Sequence, residues 1–243
     1  MDKTRLKMAF IGDSLTEGIV GASYFEILKS RLPRHDLFNF GKGGDTVVSL
    51  LRRLHRIDFG IPMDIGFLWI GVNDVLIKTS RSFPVVKRLR KQPWVKNHPE
   101  FREFYRSVLE LLQDRISRIF TLPPLFIGED LDNEWNRELA VLSDIIRDLS
   151  GTFPNVEFFG WRERFSSHLA SKNISPYAPK SAFRVISDAL FPKTHEALEK
   201  RASARGLHLT IDGIHLNARG AEKVAEAILE KIRSEFPVAV CDA

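Results

Sequence analysis

Cysteine is almost absent from this chain of 243 residues, and the single example, Cys241, is the third residue from the carboxyl end. One cysteine excludes an internal disulfide framework and any cysteine-based zinc cluster. Long apolar runs are also absent: the longest, residues 65–72, has eight residues, whereas a membrane-spanning helix needs about 20. The first residues lack the apolar segment of a secretory signal peptide. We therefore expect a cytoplasmic protein with no membrane span.

A strong excess of one charge is lacking as well, because 36 lysines and arginines are set against 31 aspartates and glutamates, a formal net charge of +5. A diffuse charge of this size favours weak attraction to anionic partners but does not specify nucleic acid. Hydrophobic residues make up 44% of the chain, and a chain of this length can bury a large core without metals or disulfides. The sequence therefore predicts one domain over residues 1–243.

Short apolar runs alternate with segments whose apolar residues recur at helical spacing, one of which covers residues 101–116. Continuous apolar runs bounded by glycine, proline or aspartate are typical of buried strands. Buried strands joined by helices predict an α/β fold, in which a five-stranded parallel sheet is covered on both faces. Ligands bind at the carboxyl ends of the strands in such folds. The five predicted strands are residues 8–11, 37–40, 65–70, 125–128 and 156–159.

Two basic stretches interrupt this alternation and are predicted to be insertions. Residues 78–98 contain seven lysines or arginines and no acidic residue, with Pro84 and Pro93 as helix interrupters. Residues 162–205 contain nine basic and four acidic residues and no clear strand. Because both stretches follow strand ends, we expect both to overhang a site at that edge of the sheet.

Ser14 follows the first predicted strand, in the sequence Gly-Asp-Ser-Leu-Thr-Glu-Gly at residues 12–18. A hydroxyl at a strand-to-helix turn lies near free backbone N–H groups and is a candidate nucleophile. The alternative is a helix N-cap, supplied by Asp13 or Ser14. The motif is not the nucleophile elbow of the α/β-hydrolases, because Thr16 stands where that motif has glycine.

The second predicted strand is followed by Gly-Lys-Gly-Gly-Asp-Thr at residues 41–46, a flexible turn with exposed backbone N–H groups. It does not match either common phosphate-binding loop. Thr46 stands where the dinucleotide-binding motif G-x-G-x-x-G has its third glycine, and Gly43 follows Lys42 where the P-loop has serine or threonine. Gly44 is a candidate backbone donor, and tight packing of the turn is the alternative.

Asn73 follows the third predicted strand, in the sequence Gly-Val-Asn-Asp. A side-chain amide at a strand end can donate a hydrogen bond to a developing oxyanion. Capping is the commoner use of asparagine at such a position.

Asp212 and His215 precede the last predicted helix. A carboxylate three residues before a histidine can fix the tautomer and orientation of the imidazole, which would let it act as a base. The alternative is a pair of solvated polar residues. A metal site at His195 and Glu196 is excluded, because Glu199 stands where the zinc motif requires a second histidine.

Taken in order along the chain, these four motifs resemble the blocks of the GDSL-type, or SGNH, hydrolase family. They extend over residues 12–217, about 85% of the chain. The resemblance implies a three-layer α/β/α fold similar to that of flavodoxin.

The resemblance also implies a role for each candidate residue. Ser14 would be the nucleophile, His215 the general base and Asp212 the residue that orients it. The oxyanion hole would combine the backbone N–H groups of Ser14 and Gly44 with the side-chain amide of Asn73. A serine hydrolase of this kind cleaves a carboxylic ester, such as a small acyl ester, a lipid or an acylated sugar, through an acyl-enzyme, and it requires no metal or cofactor.

Two other functions stay open at this point. A thioesterase or acyltransferase would use the same nucleophile, whereas a non-catalytic binding module would use only the fold and its basic surface. Specific nucleic-acid binding is not expected, because no aromatic residues interleave with the basic residues at 87–91. One hypothesis for the insertions is a positively charged cap that selects an anionic substrate, and the alternative is solvated surface loops. The sequence specifies no oligomeric state.

Overall fold

The computed structural model of the protein describes residues 5–188 and 194–237, so Cys241 lies outside the described residues. A five-stranded sheet forms its centre, and its strands are β1 (Lys7–Gly12), β2 (Asp36–Gly41), β3 (Met63–Trp69), β4 (Ile116–Leu122) and β5 (Val156–Phe158). Their order in the sheet is β2-β1-β3-β4-β5, and each pair of neighbours is parallel. This confirms the predicted α/β fold with a five-stranded parallel sheet.

The prediction for the fourth strand was wrong in position. Residues 125–128 form a loop, and β4 lies before them. Arg118 and Thr121 interrupt the apolar pattern of β4, while Ile116 fits the helical spacing of the segment before it, so periodicity does not indicate a strand there. Residues 125–127 are apolar because the loop that they form is itself buried.

Helices cover both faces of the sheet. On one face α6 (His98–Gln113) packs against both α3 (Val47–Leu54) and α7 (Glu134–Ser150), and on the other α2 (Tyr24–Arg31) packs against α11 (Ala218–Glu235), as right-handed crossovers between parallel strands require. Within residues 5–188 and 194–237, no helix combines the length and hydropathy needed to cross a membrane. The helices are α1 (Ser14–Glu17), α2 (Tyr24–Arg31), α3 (Val47–Leu54), α4 (Val72–Leu76), α5 (Ser82–Leu89), α6 (His98–Gln113), α7 (Glu134–Ser150), α8 (Arg162–Ala170), α9 (Ala182–Asp188), α10 (His195–Ala204) and α11 (Ala218–Glu235).

A row of buried phenylalanines ties together the three central strands. Phe10 in β1 is the register partner of Phe67 in β3, and Phe67 is the partner of Phe120 in β4. Their ring centroids lie 5.2 Å and 5.4 Å apart, within the range of favourable aromatic packing. The row fixes β1 against β3, whose carboxyl ends lead into the segments that carry Ser14 and Asn73.

The two basic stretches contribute helices to the same edge of the molecule. Residues 78–98 contain α5, and residues 162–205 contain α8, α9 and α10. The stretches meet where the backbone N–H of Ala182 donates a hydrogen bond to the hydroxyl of Ser82 at 2.9 Å.

Candidate active site

The turn after β1 carries Ser14, the candidate nucleophile. Asp13 is the N-cap of α1, because its Oδ1 accepts a hydrogen bond from the N–H of Leu15 at 3.0 Å. A Cβ at Gly12 would lie 2.4 Å from the hydroxyl oxygen of Thr16, so the turn requires glycine at this position. Since Asp13 does the capping, the hydroxyl of Ser14 is left for other partners.

Ser14, His215 and Asp212 are joined by hydrogen bonds between buried side chains. Nε2 of His215 lies 2.9 Å from Oγ of Ser14, and Nδ1 of His215 lies 2.7 Å from Oδ2 of Asp212. The other carboxylate oxygen of Asp212 accepts from the backbone N–H groups of Ile214 at 3.0 Å and His215 at 2.8 Å. An ionised carboxylate only accepts hydrogen bonds, so Nδ1 carries the hydrogen and Nε2 is free to accept the serine proton.

The pKa values of this pair favour an ionised aspartate next to a basic histidine. Burial lowers the pKa of His215, but the charge of Asp212 and its hydrogen bond outweigh burial, so the pKa lies above its usual value. Burial likewise raises the pKa of Asp212, and the charge and hydrogen bonds of His215 bring it below its usual value. A base of raised pKa, held in one orientation, can take a proton from a hydroxyl.

A buried carboxylate, Glu129, holds the loop at residues 208–217 that carries Asp212 and His215. Its Oε1 accepts hydrogen bonds from the N–H of Leu209 at 2.8 Å, and from the N–H and hydroxyl of Thr210 at 2.9 Å and 2.8 Å. Its Oε2 accepts from the N–H of His208 at 2.7 Å. Four donors on one carboxylate fix the loop against the segment that follows β4.

Asn73 and Gly44 both accept hydrogen bonds from the same residue, Lys87. The Oδ1 atom of Asn73 accepts a hydrogen bond from Nζ of Lys87 at 3.0 Å, and the carbonyl oxygen of Gly44 accepts another from the same Nζ. The amide nitrogen of Asn73 donates to Oδ2 of Asp13 at 3.1 Å. Gly44 has a φ of +78°, a conformation that favours glycine.

The structure brings four of the five sequence-predicted site residues to the wall of one pocket, of about 180 Å³. They are Ser14, Gly44, Asn73 and His215, and Asp212 lies behind His215, out of the pocket. A nucleophile, a base and nearby hydrogen-bond donors thus meet at the carboxyl edge of the sheet, where parallel α/β folds bind ligands. Such an arrangement can carry out acyl transfer.

The sequence matches a known protein family over most of its length. The model of the GDSL-like Lipase/Acylhydrolase family matches residues 10–223. The chain belongs to this family. The resemblance to this family that the sequence indicates is therefore confirmed. The comparison with curated proteins found no match.

Solved structures with the fold of this GDSL-like protein include several esterases. An acetyl xylan esterase, AlAXEase, is 22% identical, with a TM-score of 0.63, and the match covers 93% of this chain and 100% of that one. A variant of Axe2, an acetyl-xylooligosaccharide esterase from Geobacillus stearothermophilus, is 19% identical, with a TM-score of 0.66 and 96% of each chain covered. LAE5, an alpha/beta hydrolase enzyme from the metagenome of Lake Arreo, Spain, is 21% identical, with a TM-score of 0.62, and the match covers 98% of this chain and 97% of that one. At these identities the likeness shows the fold.

Both predicted insertions of this GDSL-like protein line the pocket. Phe83 and Val86 of α5 and Val185 of α9 contribute apolar wall. Of the seven basic residues in 78–98, Lys87 and Arg90 line the pocket. The wall is mainly apolar, and its other apolar members are Ile19, Val20, Val72, Leu76, Ala182 and Ile214.

Sequence reasoning missed Glu129 and the individual role of Lys87. Glu129 directly follows the apolar run at 125–128, and a carboxylate at the end of a buried run is the signal that could have indicated it. Lys87 is one of seven basic residues in its stretch, and no pattern separates it from the others. Its burial depends on how α5 packs, which the sequence does not show.

Proposed function

We propose that this GDSL-like protein is a serine hydrolase that cleaves carboxylic esters through an acyl-enzyme on Ser14. Family membership supports ester hydrolysis in general. The observation that carries the finer proposal is the continuous hydrogen-bonded relay from Asp212 through His215 to Ser14. Serine is a weak nucleophile until a base accepts its proton, and this relay supplies that base.

In the first half of the reaction, Oγ of Ser14 attacks the carbonyl carbon of the ester while Nε2 of His215 takes its proton. The resulting imidazolium lies against the carboxylate of Asp212, which stabilises its charge. Collapse of the tetrahedral intermediate breaks the ester C–O bond, and His215 returns the proton to the leaving alcohol. Water then attacks the acyl-enzyme by the same route and releases the acid.

The oxyanion of each tetrahedral intermediate would be held by the backbone N–H groups of Ser14 and Gly44 and by Nδ2 of Asn73. Each of these residues lines the pocket. Removal of one oxyanion donor typically lowers kcat by about 10²- to 10³-fold, so these donors supply a large part of the expected acceleration.

The pocket favours a short, uncharged acyl group. A dry apolar cavity of about 150 Å³ accommodates benzene, and the pocket beside Ser14 measures about 180 Å³ with a mainly apolar wall. This supports a small acyl ester, including an acylated sugar of the kind named for the structural neighbours, over a long-chain lipid. It also favours a neutral acyl group over the anionic substrate that the basic stretch suggested.

The domain organisation belongs to the same proposal. Residues 1–243 would form one domain, with residues 78–98 and 162–205 as insertions that build the acyl wall. A binding module without catalysis would have no need for a serine hydrogen-bonded to a histidine, which supports the enzyme over that alternative.

The proposal is tested by intact-mass analysis after incubation with a fluorophosphonate, which labels an activated serine. The wild type should gain one adduct, and Ser14→Ala and His215→Ala should gain none. Hydrolysis of p-nitrophenyl acetate should fall by about 10⁴- to 10⁶-fold in both variants. Ser203→Ala, which removes an exposed serine of α10, is the matched control and should behave as the wild type does.

An adduct on Ser14→Ala, or wild-type hydrolysis by that variant, would contradict the assignment of Ser14. A folded wild type that neither gains an adduct nor hydrolyses esters would favour the binding module. Thioesters of the same acyl group, run in parallel, separate an esterase from a thioesterase.

A further inference from the structure

Lys87 differs from the other basic residues of its stretch in being buried. Its exposed fraction is 4%, whereas Arg88, Arg90 and Lys91 are exposed. Burial of an ammonium group is unfavourable unless polar or charged partners surround it. The partners of Lys87 therefore indicate what the residue does.

Two of those partners are residues of the proposed oxyanion hole. Nζ of Lys87 donates to Oδ1 of Asn73 at 3.0 Å and to the carbonyl oxygen of Gly44. A Cβ at Gly44 would lie 3.2 Å from Nζ, so the absence of a side chain lets the ammonium approach the backbone. One cation thus contacts both the side chain and the backbone that would bind the oxyanion.

The contact with Lys87 decides which end of the Asn73 amide faces the pocket. An ammonium group can only donate hydrogen bonds, so the amide oxygen must be the atom that faces it. Nδ2 then points away from Lys87, where it donates to Oδ2 of Asp13 at 3.1 Å and keeps its second hydrogen for a ligand. A cation at the amide oxygen also polarises the amide and strengthens its N–H groups as donors.

The charge of Lys87 also offsets acidic groups close to the place where the oxyanion would form. Asp13, Asp45 and Asp74 are buried, and their charges act on Lys87. Oδ2 of Asp74 accepts from the N–H of Val47 at 3.0 Å, while Oδ1 has no hydrogen-bond partner. Burial raises the pKa of Asp13 to about 6 and that of Asp74 to about 7. Above about pH 7, where both are ionised, these carboxylates would oppose negative charge on a nearby intermediate if the cation were absent.

We infer that Lys87 is a positioning residue of the oxyanion hole: it aims Nδ2 of Asn73 at the reacting carbonyl, holds Gly44 in place and offsets the neighbouring carboxylates. The inference rests on the proposed function. Helix α5 would then have two roles: it supplies apolar pocket wall, and it carries the residue that positions the oxyanion donors.

The protonation state of Lys87 gives the inference a signature in pH. Burial lowers the pKa of Lys87 to about 8, although Asp74, Asp13 and Asp45 raise it, and Arg90 lowers it further. The group faces these four charges and the neutral side chain of Gln92, which donates to the carbonyl of Gly43 at 2.9 Å. Once Lys87 is neutral it no longer holds Asn73 and Gly44 as a cation, so kcat should fall above about pH 8.

The experiment compares Lys87→Met, Lys87→Arg and the matched control Arg81→Met, which removes an exposed charge from the same stretch. We expect Lys87→Met to lower kcat by about 10- to 100-fold with little change in KM, because the lost interaction acts mainly in the transition state. The alkaline fall of kcat should vanish in Lys87→Met. In Lys87→Arg it should also vanish near pH 8, because a guanidinium stays charged there.

A double-mutant cycle tests whether Lys87 acts through Asn73. Lys87→Met should have a much smaller effect on kcat when it is added to Asn73→Ala than when it is added to the wild type. An undiminished effect in the Asn73→Ala background would overturn the amide-orienting role. Wild-type kcat and an unchanged alkaline limb in Lys87→Met would overturn the inference as a whole.

The two proposals fail in different ways. If Ser14→Ala is inactive and Lys87→Met behaves as the wild type, only the inference about Lys87 is wrong. If Ser14→Ala retains hydrolysis, the proposed function itself is wrong. Circular dichroism checks the fold of each variant. If Lys87→Met does not fold, the alkaline limb of Lys87→Arg decides: its loss supports the inference, and its retention near pH 8 overturns it.

Discussion

Glu129 and Thr210 form a two-point contact across the base of the candidate active site. A single carboxylate oxygen of Glu129 accepts from both the backbone N–H and the hydroxyl of Thr210, at 2.9 Å and 2.8 Å. Thr210 lies two residues before Asp212, so this contact sets where the relay begins. The stability of the fold and the geometry of the relay are therefore linked at one buried side chain.

Replacement of Glu129 should loosen that link. In Glu129→Gln the amide nitrogen cannot accept a hydrogen bond. If it takes the place of Oε2, the N–H of His208 loses its acceptor, and if it takes the place of Oε1, the three donors of Leu209 and Thr210 lose theirs. We expect the free energy of unfolding to fall by about 1–3 kcal/mol, and kcat to fall because His215 is held less firmly. Urea denaturation and steady-state kinetics measure the two effects. Glu134→Gln, at an exposed position at the start of α7, is the control, and equal stability of the two variants would contradict the prediction.

Replacement of Asp212 should change both the rate and its dependence on pH. In Asp212→Asn the amide can face Nδ1 of His215 with its NH₂ group, which favours the wrong tautomer, and kcat should fall by about 10³- to 10⁴-fold. The wild-type pKa of His215 lies above its usual value of 6.5, so the acid limb of kcat/KM should have its midpoint above 6.5. Asp212 supplies the largest of the effects that raise this pKa, so without its carboxylate the opposing effect of burial lowers the pKa of His215.

The acid limb of Asp212→Asn should accordingly lie at lower pH than that of the wild type. Rate profiles between pH 4 and 8 measure this shift. A limb that stays in place, or moves to higher pH, would show that Asp212 does not set the basicity of His215.

Asp74→Asn should move the alkaline limb of kcat to lower pH. Among the charges that raise the pKa of Lys87, that of Asp74 is the largest, so its removal lowers the pKa below about 8. The ammonium is then lost at lower pH, and kcat should begin to fall earlier. Rate profiles between pH 6 and 10 check this result. Asp148→Asn, on the exposed face of α7, should leave the limb in place, and an Asp74→Asn limb identical to it would refute the coupling.

Val86→Trp should reduce the length of the acyl group that the pocket accepts. Val86 lines the pocket, whereas its neighbour Val85 on the same helix is 47% exposed and does not. We expect Val86→Trp to retain acetyl esters and to lose hexanoyl esters by about 10-fold or more relative to acetyl, since overpacking is costly. A p-nitrophenyl ester series of increasing acyl length measures the ratio. Val85→Trp is the matched control and should keep the wild-type ratio.

The residues that sequence reasoning found share one property: each lies in a short motif of neighbouring residues. Ser14 and Asn73 lie two and four residues after the ends of β1 and β3, and the parallel sheet brings those ends together. Asp212 and His215 lie three positions apart, so their pairing is local. The family resemblance then related these motifs to one another.

The features that sequence reasoning missed depend on packing between distant segments. The position of β4 was predicted wrongly because Arg118 and Thr121 break its apolar pattern. Thr121 is nevertheless buried, and its hydroxyl is hydrogen-bonded to that of Ser150. The sequence does not distinguish Lys87 from the other basic residues of its stretch, yet its ammonium group contacts Gly44, 43 positions away in the chain. A charged residue can be buried only when the fold supplies polar or charged partners. The partners of Lys87 lie far from it in the sequence, so the residues next to it in the chain do not indicate them.

The hydrogen bond between His215 and Ser14 joins residues 201 positions apart. During synthesis the amino-terminal strands and their helices emerge long before the loop at 208–217. The hydrogen bonds among Asp212, His215 and Ser14 cannot form until that loop has emerged and docked on Glu129. Catalytic activity would then be among the last properties that the growing chain acquires, and in a refolding experiment its return would mark the completion of the molecule more faithfully than the recovery of helix or sheet.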